Sequence, residues 1–167
     1  MSEGAAAAPA PRFLADAILG RLARWLRVLG LDTRYEPAIP DAQLVTIANL
    51  EGRVLLTRDR ALLRDLRPLR AMEVTHDAPL AQVAEVVARL AIAPPRELFT
   101  RCLPCNAPLG DVPADEAEKL LPPAARGLPG PVRRCPACGR VYWHGSHARR
   151  MRASLEHALG EWMREVR

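Results

Sequence analysis

The sequence predicts an α/β domain, a parallel sheet with helices on both faces, followed by a small Cys₄ zinc ribbon and a terminal helix. From residue 12 to about 95, short apolar runs alternate with longer stretches of helical periodicity, which is typical of consecutive βα units. After Pro94-Pro95 the chain becomes rich in Cys, Pro and Gly. Residues 148–167 then return to a helical pattern, with Met151, Leu155, Leu159 and Trp162 (or Met163) on one stripe.

Four short strands, each followed by a helix, are predicted in the first part. The third strand is the clearest, because Val54, Leu55 and Leu56 stand together between polar residues. Gly30 and Gly52 close the first two helices at a position where glycine is favoured. A succession of βα units predicts parallel strands. The predicted strands are 12–16, 33–36, 53–57 and 71–76, and the predicted helices are 18–29, 42–50, 60–66 and 80–90.

The predicted organisation is a disordered tail at residues 1–11, the α/β domain at 12–95, the zinc ribbon at 96–147 and the C-terminal helix at 148–167. The tail is rich in Ala and Pro, and it lacks the basic start and apolar stretch of a secretory signal. No apolar run approaches the ~18–20 residues that a membrane span needs. We therefore expect a soluble, cytoplasmic protein without a membrane partner.

The four cysteines form two Cys-x-x-Cys pairs, Cys102 with Cys105 and Cys135 with Cys138. Two intervening residues let both thiolates face one tetrahedral ion, and two such turns make a closed site. Gly139 supplies the tight backbone that follows such a turn. Two disulfides or a redox-active pair are the alternatives, and the matched pairs favour zinc over both. Because four thiolates leave no open position, the predicted zinc is structural.

Basic residues are concentrated in the C-terminal third. The formal net charge is +5, and 23 of the 24 basic residues are Arg, a bias that either a GC-rich genome or phosphate binding explains. The distribution favours a localised anion-binding surface, because no acid occurs between Lys119 and Leu155. Eight basic residues fall in that interval: Lys119, Arg126, Arg133, Arg134, Arg140, Arg149, Arg150 and Arg152.

Acidic residues lie at the ends of the predicted strands, where ligands gather in a parallel sheet. Asp16 ends the first strand and Asp59 follows the third. Glu36 ends the second strand, Asp77 follows the fourth, and Asp41 opens the second helix. Carboxylates on one edge repel one another unless a divalent cation neutralises them, and their oxygens suit Mg²⁺ or Mn²⁺. Such a site would be able to activate a water for attack on a phosphodiester.

Helix capping is the alternative role for these acids. It explains Asp41 and Asp77 as well as a metal site does, because both precede predicted helices. Asp16 and Asp59 interrupt apolar strands at the edge where ligands bind, so we predict that these two are functional.

The first predicted helix carries Arg21, Arg24 and Arg27 at three-residue spacing, on the side away from its apolar residues. A solvated face explains this pattern as well as phosphate contact does. If the helix begins beside the acids, Arg21 and Arg24 would hold a phosphate backbone. Arg58, next to the second acid, is a candidate of the same kind.

These residues form a recognisable set of motifs: Phe13–Asp16 (FLAD), Leu19–Arg27 (LGRLARWLR) and Leu55–Asp59 (LLTRD). Together with the paired cysteines and Arg140–His147 (RVYWHGSH), they resemble the RNase domain named for the C-terminus of the Mut-seven exonuclease. The resemblance covers roughly residues 12–152.

The resemblance implies a PIN-like α/β fold followed by a zinc ribbon, and a metal-dependent ribonuclease acting on RNA. By position, Asp16 and Asp59 match the acids that bind Mg²⁺ or Mn²⁺ in PIN nucleases. Asp41, at the start of the second helix, and Asp77, after the fourth strand, match the acids that complete such a site.

The segment after the second cysteine pair contains His144 and His147, an alternative pair of zinc ligands, although four cysteines already fill the site. Trp143 is suited either to stacking on a base or to packing under the ribbon. We favour packing for Trp143 and RNA contact for His147.

Two other functions are compatible with the sequence. A non-catalytic RNA- or ribosome-binding adaptor on a degenerate PIN scaffold would bind RNA through Arg149, Arg150 and Arg152 without needing Asp16. A phospho-acceptor receiver domain using Asp59 shares the βα pattern. Such a domain has paired acids after the first strand and a Lys near the last one, and this sequence lacks both. The sequence does not predict the oligomeric state.

Overall fold

A computed structural model describes residues 10–166, so most of the predicted disordered tail, residues 1–9, lies outside the described residues. Four parallel strands form the predicted sheet, in the order β2-β1-β3-β4. The two central strands are buried along their whole length. The strands are β1 (Phe13–Ala15), β2 (Thr33–Tyr35), β3 (Val54–Thr57) and β4 (Ala71–Glu73).

Helices cover both faces of this sheet, as the sequence predicts. Successive side chains of a strand point to opposite faces, so Leu14 and Leu55 pack against α2 and α3, whereas Phe13 and Leu56 belong to the larger core formed with α1 and α4. A short 3₁₀ turn, Ala17–Leu19, precedes the first helix. The helices are α1 (Gly20–Val28), α2 (Asp41–Glu51), α3 (Arg60–Leu66) and α4 (Pro79–Arg89).

The cysteine-rich segment forms a second, antiparallel sheet of three two-residue strands in the order β5-β6-β7. A strand, β7, follows Gly139, which has the positive φ of 73° that glycine adopts without strain. The spacer between the cysteine pairs contributes β5, a short helix and β6. The elements are β5 (Gly110–Asp111), α5 (Ala114–Leu120), β6 (Arg133–Arg134) and β7 (Val141–Tyr142).

The terminal helix α6 (Ser146–Leu159) starts two residues before the predicted boundary and continues as a 3₁₀ turn, Gly160–Glu165. Its predicted apolar stripe faces the core, with Met151 and Leu155 buried. It lies beside α4. The indole Nε1 of Trp162 donates a hydrogen bond to the carbonyl of Ile92 at 2.8 Å. Among residues 10–166, no helix is long and apolar enough to cross a membrane.

One hydrophobic core continues from the parallel sheet into the ribbon and the terminal helix. Leu98, Phe99 and Leu103 from the ribbon, and Leu155 from α6, belong to the same buried cluster as Phe13 of β1. The ribbon is therefore packed onto the α/β layer rather than joined to it by a bare linker.

Candidate active site and metal centre

Asp16 directly follows β1 at the carboxyl edge of the sheet. Its half-buried carboxylate accepts from the N–H of Ala17 at 2.5 Å through Oδ1 and from the hydroxyl of Thr57 at 2.8 Å through Oδ2. Because Thr57 ends β3, the second hydrogen bond joins the two central strands. The strand order places the topological switch point between β1 and β3, where open α/β sheets bind ligands.

Asp59 lies two residues beyond β3 and caps α3. Its Oδ1 accepts from the N–H groups of Ala61 at 2.7 Å and Leu62 at 3.0 Å, and its own N–H donates to the Thr57 hydroxyl at 3.0 Å. One hydroxyl thus links the side chain of Asp16 to the backbone of Asp59. Within residues 10–166, no hydrogen bond reaches Oδ2 of Asp59, so this oxygen is available to a ligand.

Asp41 and Asp77, for which capping was the alternative, do not cap helices. The N-caps of α2 and α4 are Pro40 and Ala78, and neither helix has a side-chain cap. Asp41 is exposed in the first turn of α2, where the helix dipole favours a negative charge. Asp77 is exposed and its Oδ1 lies 2.6 Å from Nη2 of Arg58. The arginine predicted to contact phosphate is thus paired with a predicted metal ligand.

The acids do not form a compact cluster. In the described part of the chain, the four cysteines are the one group of three or more Cys, His, Asp or Glu residues whose donor atoms lie within 4.8 Å of one another. No three of the predicted acids converge to that distance. Asp16 and Asp59 are connected through Thr57, and Asp77 is held by Arg58.

Tyr35, at the end of β2, supports the turn that follows Asp16. Its hydroxyl donates to the carbonyl of Ala17 at 2.7 Å. Its ring packs against Gly20, where an added Cβ would lie 2.9 Å from the ring. The glycine of the second motif therefore permits a close approach that fixes the start of α1 beside Asp16.

The arginines of α1 do not share one environment. Arg21 and Arg24 are exposed, but Arg27 is only 6% exposed. The prediction that Arg27 lies with the other two on a polar side is wrong, because the ribbon packs over that part of the helix.

Arg27 instead fastens the first cysteine loop to α1. Its guanidinium donates to the carbonyls of Leu103 at 2.7 Å and Pro104 at 2.8 Å, the two residues between the paired cysteines. Burial lowers the pKa of Arg27, and the negative charges of Cys105 and Cys102 oppose that effect. Arg27 therefore holds the first cysteine loop and is not available to a phosphate.

The four cysteine sulfurs are arranged as a tetrahedral thiolate site requires. Sγ of Cys102 lies 3.5 Å from that of Cys138, and Sγ of Cys105 lies 3.4 Å from that of Cys135. Zn–S bonds of about 2.3 Å imply S–S separations near ~3.8 Å, which this geometry fits with little adjustment. All four cysteines are free thiols, so the alternative of two disulfides is not observed.

Hydrogen bonds favour the thiolate form of Cys135 in particular. Burial alone would raise the pKa of Cys135, but the N–H groups of Cys138 and Ala137 lower it to about 6. Burial raises the pKa of Cys102 above its ordinary value. The hydroxyl of Tyr142 donates to Sγ of Cys102 at 3.2 Å. Metal binding requires deprotonated cysteines, and Cys135 is the cysteine whose surroundings favour that form.

A second contact ties the ribbon to the sheet. Asn106, which follows the first cysteine pair in a left-handed conformation, accepts from the N–H of Thr33 at 3.0 Å and donates to Asp32 at 2.8 Å. Asp32 is in turn bound by Arg53, with Nη1 2.7 Å from Oδ1. The start of β2 is thus held by the residue next to the metal centre.

The residues after β7 line a cavity of about 250 Å³ between the ribbon and α6. His147 lines this cavity and is exposed, so its side chain is accessible to a ligand; its contact with RNA stays a prediction. Trp143, predicted to pack under the ribbon, is half-buried and forms part of the cavity wall.

Two structural residues near the acidic edge were not singled out from the sequence. Thr57 was part of a motif but had no assigned role, although a polar residue ending an apolar strand was a usable signal. Glu85 lies on the apolar face of α4 and accepts from the N–H and hydroxyl of Thr75 at 3.0 and 2.8 Å and from the N–H of His76. It fixes the loop that carries Asp77.

The fold and the centre define an α/β domain with an acidic carboxyl edge, joined to a Cys₄ metal ribbon. Comparison with family models matches residues 11–155 to the Mut7-C RNAse domain. The chain belongs to this family. Neither the comparison with curated proteins nor that with solved structures gave a match.

Proposed function

We propose that the chain is a metal-dependent ribonuclease whose acidic site lies at the carboxyl ends of β1 and β3. The observation that carries the proposal is the hydrogen-bonded unit formed by Asp16, Thr57 and Asp59 at the switch point of the sheet. Membership in an RNase domain family supports RNA as the substrate.

In this proposal Asp16 and Asp59 hold Mg²⁺ or Mn²⁺, and Asp41 and Asp77 complete the site when substrate is bound. Carboxylate oxygens are the ligands these cations prefer. The cation would supply charge stabilisation and an activated water. Thr57 holds Asp16 in place, and the exposed Arg21 and Arg24 bind the RNA backbone next to it. Release of Arg58 from Asp77 onto a phosphate would free that carboxylate.

The four cysteines hold one structural zinc ion in the same proposal. Because all four positions of a tetrahedral ion are filled, zinc has no role in cleavage. The ribbon contributes a rigid basic surface, including His147, for RNA. A site made of four reduced cysteines is suited to the reducing cytoplasm.

The decisive test is cleavage of structured and unstructured RNAs in Mn²⁺ by the zinc-loaded chain and by Asp16→Asn. Groups that only orient a metal ligand already contribute about 10–100-fold, so loss of the ligand should lower the rate at least about 100-fold. Asp115→Asn, an exposed acid in α5, is the matched control and should cleave normally. Equal rates for wild type and Asp16→Asn would remove the proposed site.

A second candidate function is an RNA- or ribosome-binding adaptor without catalysis. It is favoured by the finding that no three acids within residues 10–166 converge to 4.8 Å. The adaptor predicts salt-sensitive RNA binding that survives Asp16→Asn and is lost when Arg149, Arg150 and Arg152 are neutralised. Binding of this kind, together with no Mn²⁺-dependent cleavage, would select the adaptor over the nuclease.

A further inference from the structure

A cleft lies between the ribbon and the start of α6, and its lining includes neither the predicted acids nor the four cysteines. It consists of two adjoining cavities of about 250 and 240 Å³. Phe99, Arg133 and His144 line both of them. Together the cavities fall within the range of ~300–1,000 Å³ that small-ligand sites occupy. We refer to this space as the ribbon cleft.

Three arginines bring uncompensated positive charge to the ribbon cleft: Arg24 from α1, Arg140 from the ribbon and Arg149 from α6. Among residues 10–166, no carboxylate lies within 4 Å of any of their guanidinium nitrogens. Two other cleft arginines have carboxylate partners: Arg133 pairs with Glu97 and Asp111, and Arg152 with Glu156. The three free guanidinium groups suit an anion with several oxygens, as phosphate has.

The electrostatic field in the cleft also acts on His144. Burial lowers the pKa of this imidazole, and the positive charges of Arg133 and Arg152 lower it further. The histidine is therefore neutral near pH 7 beside a positive wall. A neutral imidazole adds a hydrogen-bonding edge without adding charge.

The cleft also has an aromatic residue in its lining. Trp143 is half-buried in the cleft and lies outside the hydrophobic core. Its indole lies against the backbone of Gly145, where an added Cβ would be 2.6 Å from Nε1. The ring is thus held in place by packing, with apolar neighbours such as Val141 lining the same cavity. A flat, fixed aromatic surface beside guanidinium groups is the arrangement that single-stranded nucleic acids stack on.

Helix α1 connects the cleft with the acidic edge. It begins four residues after Asp16, and Arg21 and Arg24 are three positions apart, hence neighbours on the helix surface. Arg24 lines the ribbon cleft. A strand whose phosphates follow these two arginines would reach from the edge of the sheet to the cleft.

We propose that the ribbon cleft binds one nucleotide of single-stranded RNA, its base against Trp143 and its phosphates on Arg24, Arg140 and Arg149. The identity of the ligand as RNA rests on the function proposed above. The combined volume of the two cavities suits a single unpaired nucleotide.

The test measures binding of a fluorescent oligouridylate to the full, zinc-loaded chain over a range of salt concentrations, without added divalent cation. The double variant Arg140→Ala/Arg149→Ala is compared with Arg67→Ala/Arg70→Ala, which removes two exposed arginines between α3 and β4 that do not line the cleft. Each lost phosphate contact should reduce the slope of log affinity against log salt by about 0.7. The slope should therefore fall by about 1.4 in the cleft double variant and should not change in the control double variant.

Base stacking is tested with Trp143→Leu against Trp143→Phe, which differ in whether they keep an aromatic face. The leucine variant should bind oligouridylate about tenfold more weakly and the phenylalanine variant nearly as well as wild type. Inorganic polyphosphate, which has no bases, should bind all three equally. Oligouridylate binding that is unchanged in Trp143→Leu would overturn the proposal and leave a phosphate or acidic-peptide site.

Equal salt slopes for the cleft and control double variants would also overturn the proposal. This comparison does not involve Trp143, so it stays decisive even if the Trp143 variants fold poorly, as judged by their bound zinc. The result is separable from the nuclease proposal. Cleft-dependent binding without cleavage supports the cleft and not the nuclease. Cleavage that depends on Asp16, with cleft variants binding normally, supports the nuclease and not the cleft.

Discussion

Thr57 is fully buried at the end of β3, and its hydroxyl donates to Asp16 and accepts from the N–H of Asp59. Replacing the hydroxyl with a methyl group in Thr57→Val leaves a donor and an acceptor without their partner. We expect the free energy of unfolding to fall by about 1–3 kcal/mol in urea titrations. Thr57→Ser, which keeps the hydroxyl, should lose less. Equal losses in the two variants would mean that packing of the methyl group, not hydrogen bonding, is what Thr57 contributes.

Glu85 is the residue whose protonation should affect stability. Burial would raise its pKa, but hydrogen bonds from His76 and Thr75 outweigh burial and lower it from 4.5 to about 2. Arg89 is the other charged group facing it, 3.0 Å away. A lowered pKa in the folded state stabilises the protein above pH 4.5, and this contribution is lost as the pH falls from 4.5 towards 2.

The matching variant is Glu85→Gln. At pH 7 it should be less stable than wild type by about 2 kcal/mol. Between pH 4.5 and pH 2 the free energy of unfolding should decline less steeply in the variant, so that the difference narrows. Parallel pH profiles would show that Glu85 does not titrate as its hydrogen bonds imply.

At the scale of elements, the sequence predicts the strands and helices well because apolar runs and helical periods are local signals. All four parallel strands and their helices were predicted within a few residues. The docking of the ribbon was not predicted, since it depends on contacts between distant segments. Arg27 illustrates the difficulty: its spacing matches Arg21 and Arg24, yet it is buried because a loop 76 residues away covers it.

The same limit applies to the candidate site. The positions of Asp16 and Asp59 at strand ends followed from the sequence, whereas the pairing of Asp77 with Arg58 did not. An exposed ion pair is decided by loop geometry after two different strands, and no local pattern encodes it. Thr57 belongs to the same class, because its partner Asp16 lies 41 residues away.

The contact between α1 and the first cysteine loop yields a prediction at this scale. Arg27→Met would remove the side-chain donor to the carbonyls of Thr33, Leu103 and Pro104, the first two of them buried. We expect a loss of about 3 kcal/mol in the free energy of unfolding and faster release of zinc to a chromogenic chelator. Arg21→Met, exposed on the same helix, should change stability by no more than about 0.5 kcal/mol. Similar effects of both variants would show that Arg27 does not fasten the loop.

At the scale of the whole molecule, the ribbon and the α/β layer share one core and several buried hydrogen bonds. Leu98, Phe99 and Leu103 lie in the same cluster as the central strands, and the N–H of Phe99 donates to the carbonyl of Val28 at 2.9 Å. Zinc-ribbon folding depends on its metal. Loss of the metal should therefore remove apolar cover from the α/β layer as well as unfold the ribbon.

This coupling is testable in a Trp143→Phe variant, in which the remaining indoles, Trp25 and Trp162, both pack against the main core. With zinc bound, their fluorescence and the far-ultraviolet circular dichroism should change in one coincident thermal transition. Chelation should lower the midpoint of that transition, because a ligand that binds the folded state stabilises all that unfolds with it. If the indole transition keeps its midpoint after zinc is removed, the ribbon and the α/β layer unfold independently, and the hydrogen bonds of Arg27 and Asn106 do not couple them.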